Sequence, residues 1–228
     1  MLTSIYNQLP CVEDADKDLK RKIDFEGLLA ATSAIAKEHE LGAHLGLFLL
    51  HRHFELGRDE KMCERMFIDE NDRPALASIP TQPSADDNSL PASWMFRDGE
   101  MHSFEFSSDP LVLELSQKLE ADIALKNALR DAIHSFNAID LIGFGVVTRD
   151  SLSEEAFELW LEEIDEDGRR QVVRSYHADE KSTDGLLRTR WALDETRQFF
   201  CKAMCLPRCI PYSPGHSVSH STFHGIET

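Results

Sequence analysis

Six residues able to ligate a metal crowd into the stretch CKAMCLPRCIPYSPGHSVSHSTFHG near the C-terminus: Cys201, Cys205, Cys209, His216, His220 and His224. Thiolate and imidazole are the donors that zinc takes in closed tetrahedral sites, commonly as short chelating pairs. Cys205-x3-Cys209 and His216-x3-His220 are two such pairs. The connecting IPYSPG, with two prolines and a glycine, suits a tight turn. It is too short for the helix of a DNA-reading zinc finger. Cys201 stands one helical turn before Cys205, and His224 continues the histidine series by another x3 step. The ligand set is therefore overcomplete, and which four bind stays open. Four protein ligands leave no position for water or substrate, so the expected use of zinc is structural. The competing description is three buried thiols followed by a polar tail whose histidines are incidental.

A second constellation is LLHRHFE, read as part of a strand. There His51, His53 and Glu55 share one face, while Arg52 and Phe54 take the other. An H-x-H pair supplies two arms of a metal site with open coordination. Alternatively, His51 or His53 serves as general base with Glu55 orienting it. These three are the candidate catalytic residues. The further elements of a cupin pattern do not follow at the expected spacing. The plain alternative is a half-buried strand whose histidines hydrogen-bond their neighbours.

Other chemistry is excluded. HELGAH misses the zinc-protease spacing by one residue, and Gly42 would interrupt the helix that motif needs. A phosphate loop, a dinucleotide fingerprint, a nucleophile elbow and a deaminase pattern are absent. In EEAFELWLEEIDEDG, the carboxylates are expected on a solvated strand face opposite Phe157 and Leu159. Trp160 falls on that same outer face, where it would mark a contact surface.

These residues need a scaffold. IDFEGLLAATSAIAKEHELG has helical spacing and a stop near Gly42, and LGLFLLHRHFEL is a short apolar strand. The four prolines between 70 and 91 predict a long exposed loop. WMFRDGEMHSFEF is a hairpin turning at Asp98-Gly99. SDPLVLELSQKLEADIALKNALRDAIHSF is helical, N-capped by Asp109 with Pro110 at the first position and a break near Asp122. AIDLIGFGVV is a buried strand, FELWLEEIDEDGRRQVVRSYH a second hairpin and LLRTRWAL a last strand. DETRQFFCKAM is a short helix ended by Pro207. The expected fold class is α+β, with a mainly antiparallel sheet built from hairpins and a few packed helices. Residues 1–200 would form one domain, and 201–228 a metal-binding tail.

At 228 residues the chain is long enough for a core without disulfide staples. Its formal charge of −17 argues against a nucleic-acid footprint and disfavours anionic membranes. The start has no basic region followed by an apolar one, and no apolar run is long enough to span a bilayer. Five cysteines, three of them crowded together, fit a reduced cytoplasmic protein better than a disulfide scaffold. A protein or small-molecule partner is expected, without nucleic acid or membrane. The oligomeric state is open.

LGLFLLHRHFEL, the downstream RTRWAL and the terminal Cys pair before GH-x3-H together resemble a group of uncharacterised proteins of filamentous fungi. The resemblance covers about a fifth of the chain, and LLHRHF is its most distinctive element. It implies a fungal origin and a shared fold, without an activity. Three functions follow from the residues: a zinc-stapled binding or interaction module, a metal-dependent enzyme (hydrolase, lyase or isomerase) using His51 and His53, or a metal-free interaction protein.

Overall fold

Helical periodicity and capping account for the helices. Val12–Lys22 (α2) carries Glu13 and Asp14 in its first turn and Lys20, Arg21 and Lys22 in its last, matching the helix dipole. Its buried residues, Val12, Ala15 and Leu19, fall on one stripe. Phe25–Glu38 (α3) is N-capped by Asp24, whose side chain accepts from the Gly27 amide. It ends at Glu38, and a 3-10 turn follows over Glu40–His44. Asp109 caps Pro110–Ala121 (α4) through the Leu111 and Val112 amides. Asp122 ends α4 and caps Ile123–Ser135 (α5) through the Leu125 amide. A short helix, Leu2–Tyr6 (α1), opens the chain.

This computed structural model describes residues 2–84, 87–147, 159–165, 169–177, 180–193 and 199–205. Its strands are Leu45–Leu49 (β1), Lys61–Ile68 (β2), Pro74–Thr81 (β3), Leu90–Arg97 (β4), Glu100–Ser107 (β5), Ile142–Val146 (β6), Leu159–Asp165 (β7), Arg170–Tyr176 (β8), Leu187–Leu193 (β9) and Phe199–Cys205 (β10). They close into one barrel, in the order β1-β6-β4-β5-β2-β3-β8-β7-β10-β9 and back to β1. Two pairings, β2 with β5 and β7 with β10, are parallel. The expected hairpin-built antiparallel sheet with packed helices is therefore incorrect: the fold is a closed, mixed ten-stranded barrel with five helices among the described residues. Hairpin signals report only neighbours joined by a turn. The pairings that close this ring join segments far apart in sequence.

Helices cover one side of the barrel. α2 lies against β1 and β9, α4 against β4 and β6, and α3 against β10 and α5. Leu45, Leu47 and Leu49 of β1 join Ile142 and Phe144 of β6, Trp94 of β4 and Trp191 of β9 in the main apolar core, with Leu28, Leu119, Leu125 and Ile133 from the helices. The alternate residues face the barrel interior, and one glycine there is sterically required. A Cβ on Gly145 would lie 2.6 Å from the Ala92 carbonyl and 2.8 Å from the Phe48 ring. Tyr6, Leu9 and Leu56 pack on Leu50, Met62 and Met95, forming an apolar layer at one end.

Three further expectations are corrected. Pro74–Thr81 is a strand and not part of an exposed loop. β3 pairs with β8 only over Ala75–Ser78, so Pro80 sits where the ladder is one-sided and its missing N–H is tolerated. The connection to β4 is shortened to 82–89, of which 85 and 86 lie outside the described residues. The FFCKAMC segment is strand β10 and not a helix, because it fills the gap between β9 and β7. The barrel thus runs through the boundary drawn at residue 200. Trp160 is 2% exposed, packed with Val173 and Ala203, and not on an outer face. No helix among the described residues is long and apolar enough to cross a membrane.

Candidate metal centre

β1 stops at Leu49, because the chain then leaves the sheet. The Leu50 amide donates to the Leu141 carbonyl and the Arg52 amide to the Pro10 carbonyl. The N-terminal segment holds the departing loop. Asn7 donates from Nδ2 to the Leu56 carbonyl at 2.9 Å and accepts the Leu56 amide on Oδ1 at 2.8 Å. Arg52 Nη1 donates to the Asn7 carbonyl at 2.7 Å. His51 and His53 therefore lie just past the strand and not on it. The two-residue spacing still places their rings together, with centroids 4.6 Å apart.

The carboxylate beside them is Glu162, from β7. Its Oε2 is 3.5 Å from His51 Nε2 and 3.7 Å from His53 Nε2. Cys205, the last residue of β10, completes the group: one ligand atom from each of the four lies within 4.8 Å of every other. Cys205 pairs with Glu162 across the parallel β7–β10 ladder. Two register irregularities in β10, between Cys201 and Met204, precede it. Bulges of this kind re-aim the following side chain. The group is buried, with Glu162 and Cys205 at 1% and 0% exposure.

The four donors are grouped as residues that could hold a metal ion. His51 Nδ1 lies 2.7 Å from the Leu49 carbonyl. A carbonyl only accepts, so Nδ1 carries a hydrogen, and a neutral ring would present its lone pair at Nε2. That lone pair faces Glu162 Oε2, itself an acceptor, and neither atom has a hydrogen-bond partner among the described residues. Two facing acceptors repel unless a cation lies between them. If the cation were a proton on the ring, the pair would close to about 2.7–2.9 Å. The four donor atoms, within 4.8 Å of one another, leave room for an ion between them.

Charge in the barrel interior adds to this. Arg190 of β9 donates from Nε to Glu162 Oε1 at 3.0 Å, from Nη1 to Glu64 at 3.2 Å and from Nη2 to Glu105 at 3.4 Å. Its guanidinium lies 5.1 Å from the centre of the Phe48 ring. Ser93 donates to the second Glu105 oxygen. Three carboxylates against one guanidinium leave two negative charges uncompensated when all are ionised, which favours a divalent cation. Burial pushes the Glu64 carboxyl up to about 7, with Glu105 adding to the shift and Arg190 opposing it. Burial also acts to raise Glu162, but the two imidazoles, when they carry a proton toward it, and Arg190 outweigh burial and hold that carboxyl well below its ordinary value.

Of the residues singled out in the sequence, His51, His53 and Cys205 are brought together. Glu55 is not: it is exposed, and its carboxylate accepts from Arg52 at 3.1 Å. Cys201 lies in β10, its backbone opposite Trp191. Cys209, His216, His220 and His224 lie outside the described residues. Glu162 had been assigned to a solvated face, which the structure corrects. A period of two separates the faces of a strand without saying which one looks inward. The trace in the sequence was Trp160, an aromatic sharing a face with carboxylates.

Fold and site together define a closed mixed β-barrel with a buried group of two histidines, a glutamate and a cysteine able to hold a metal ion. Comparison of the chain with protein-family models, curated proteins and solved structures gives no match to any of them.

Proposed function

We propose that this protein is a metal-dependent enzyme that binds zinc through His51, His53, Glu162 and Cys205 and acts on a small molecule inside the barrel. The observation that carries this reading is the convergence of His51 Nε2 and Glu162 Oε2, two buried acceptors facing each other at 3.5 Å. Two imidazoles, a carboxylate and a thiolate suit zinc among the common divalent ions. Zinc held there would act as a Lewis acid toward a carbonyl or hydroxyl oxygen by expanding to five-coordination, since the four protein donors fill its tetrahedron. Catalysis, and not a staple alone, is favoured by the groups next to the donors. A purely structural site needs no Arg190 and no Glu64 with a carboxyl titrating near neutrality, whereas tuned groups of this kind cluster where chemistry is done.

A second reading, a structural zinc site in a binding module, is favoured by the fourth protein donor and by the burial of the ligands. Elemental analysis of untagged protein tests the metal. About one zinc per chain is expected, lost in His51→Ala and in Cys205→Ser. Cobalt in place of zinc should show a thiolate charge-transfer band that Cys205→Ser abolishes. Well-folded protein that takes up neither metal sinks both readings. Cobalt spectra that report an added solvent ligand favour the enzyme, and spectra of a closed four-donor site favour the staple.

A further inference from the structure

A row of polar side chains crosses the barrel interior beside the metal-binding group, and nothing described so far uses it. Ser78 of β3 pairs in register with Glu64 of β2 on one side and with Gln171 of β8 on the other. Directly paired residues on neighbouring strands project to the same face. Glu64 points inward, since it shares Arg190 with Glu105 and Glu162. Ser78 and Gln171 therefore line the interior with it. Ser78 is 0% exposed, and its Oγ has no hydrogen-bond partner among the described residues. A buried hydroxyl left in that state costs stability and marks a place where a partner is expected. Glu64 and Arg190, although inward-facing, keep side-chain exposures of 12% and 16%. Solvent thus reaches the Glu64 and Arg190 end of the row, while Ser78 and Gln171, at 0% and 4% exposure, are closed from it.

We propose that Glu64, Ser78 and Gln171 form the substrate-binding part of the barrel, and that the ligand is a small uncharged molecule offering a hydrogen-bond donor beside an acceptor. An anion would meet the Glu64, Glu105 and Glu162 carboxylates. A cation on the row would meet Arg190, and the negative excess of the three carboxylates is taken up by the divalent cation of the neighbouring metal-binding group. A neutral group suits what remains. Glu64 accepts its donor, Ser78 donates to its acceptor, and the Gln171 amide can do either. A carboxamide and a pair of neighbouring hydroxyls share this chemistry. Glu64 and the metal donor Glu162 are bridged by the single Arg190 guanidinium. A ligand on the row therefore lies within reach of the metal. The inference rests on the preceding reading for the chemistry performed and for the ligand's lack of charge, but not for the row itself.

The test is titration of the full chain, in EDTA and in zinc, with acetamide, ethylene glycol, acetate and methylammonium, followed by the NMR shifts of residues 64, 78 and 171. Saturable binding of acetamide or ethylene glycol is expected, with the stronger of the two naming the group recognised. Acetate and methylammonium should bind more weakly than either. Ser78→Ala should weaken the neutral probe by about three- to tenfold, the worth of one hydrogen bond. It should leave the melting temperature of ligand-free protein unchanged or higher, because the hydroxyl it deletes has no partner to lose. If Ser78→Ala does not fold, Gln171→Met carries the same comparison. Tighter binding of a charged probe, no binding of either neutral one, or equal affinity in the variant overturns the proposal. Zinc content of the same samples separates the two readings. Neutral-probe binding without zinc retains this site and removes the metal, and zinc without probe binding does the reverse.

Discussion

Replacing Arg190 by Met removes the guanidinium that Glu64, Glu105 and Glu162 share while keeping much of the apolar stem over Phe48. Deleting one partner of a buried ion pair leaves an uncompensated charge and costs about 3–5 kcal/mol. Here three carboxylates lose a shared guanidinium, although Glu162 keeps its imidazoles and Glu105 keeps Ser93, so the loss should fall in that range. For a chain of this size each kcal/mol corresponds to roughly 2–4 °C in Tm, which places the expected fall at about 6–20 °C in metal-free protein. The loss should be smaller at acid pH, where the carboxylates take up protons and no longer need the guanidinium. Zinc should restore part of it, because ligand binding to the native state adds stability. Thermal melts at pH 5 and pH 8, with EDTA and with zinc, read all three effects. A Tm within 2 °C or so of the parent at pH 8 would refute the description of the interior as a charge cluster held by Arg190.

Two further outcomes follow from the same interior. The Glu64 carboxyl is raised from 4.5 to about 7, so the folded state binds more protons than the unfolded one between those values. Its contribution is fully present below about pH 4.5 and is lost as pH rises through 7, on the order of 3 kcal/mol in all. Glu64→Gln should flatten that slope in pH-dependent denaturation and be the more stable protein at pH 8; an unchanged slope argues against the shift. Gly145→Ala places a methyl group against the Ala92 carbonyl and the Phe48 ring. It should destabilise by about 1–3 kcal/mol through overpacking, measured by urea denaturation, and a neutral result would mean β6 can shift away from Phe48.

Local signals were read correctly where the chemistry is local. Asp109 and Asp122 cap the helices they were expected to cap or break. Asp98-Gly99 turns the β4–β5 hairpin with positive φ angles of 52° and 80°. The pairing of His51 with His53 was visible because a spacing of two brings side chains together along extended chain, whether or not that chain belongs to a sheet. Glu55 obeyed the same rule on paper, but the chain bends out of the sheet after Leu49 and gives Glu55 to Arg52 instead. Cys205 drew attention as a thiol among thiols. Nothing in its neighbourhood along the chain pointed to Glu162, more than forty residues earlier.

The sequence by itself determined α3, α4 and α5, the roles of Asp109 and Asp122, two hairpins and the proximity of two histidines, since each depends on residues a few positions apart. Only the tertiary structure decided that the sheet closes, that the Trp160–Glu162 face looks inward, and that β7 and β10 run parallel with Glu162 opposite Cys205. Those outcomes depend on which distant strands pair and on which side of the sheet the helices cover. A chain's periodicity carries no record of either.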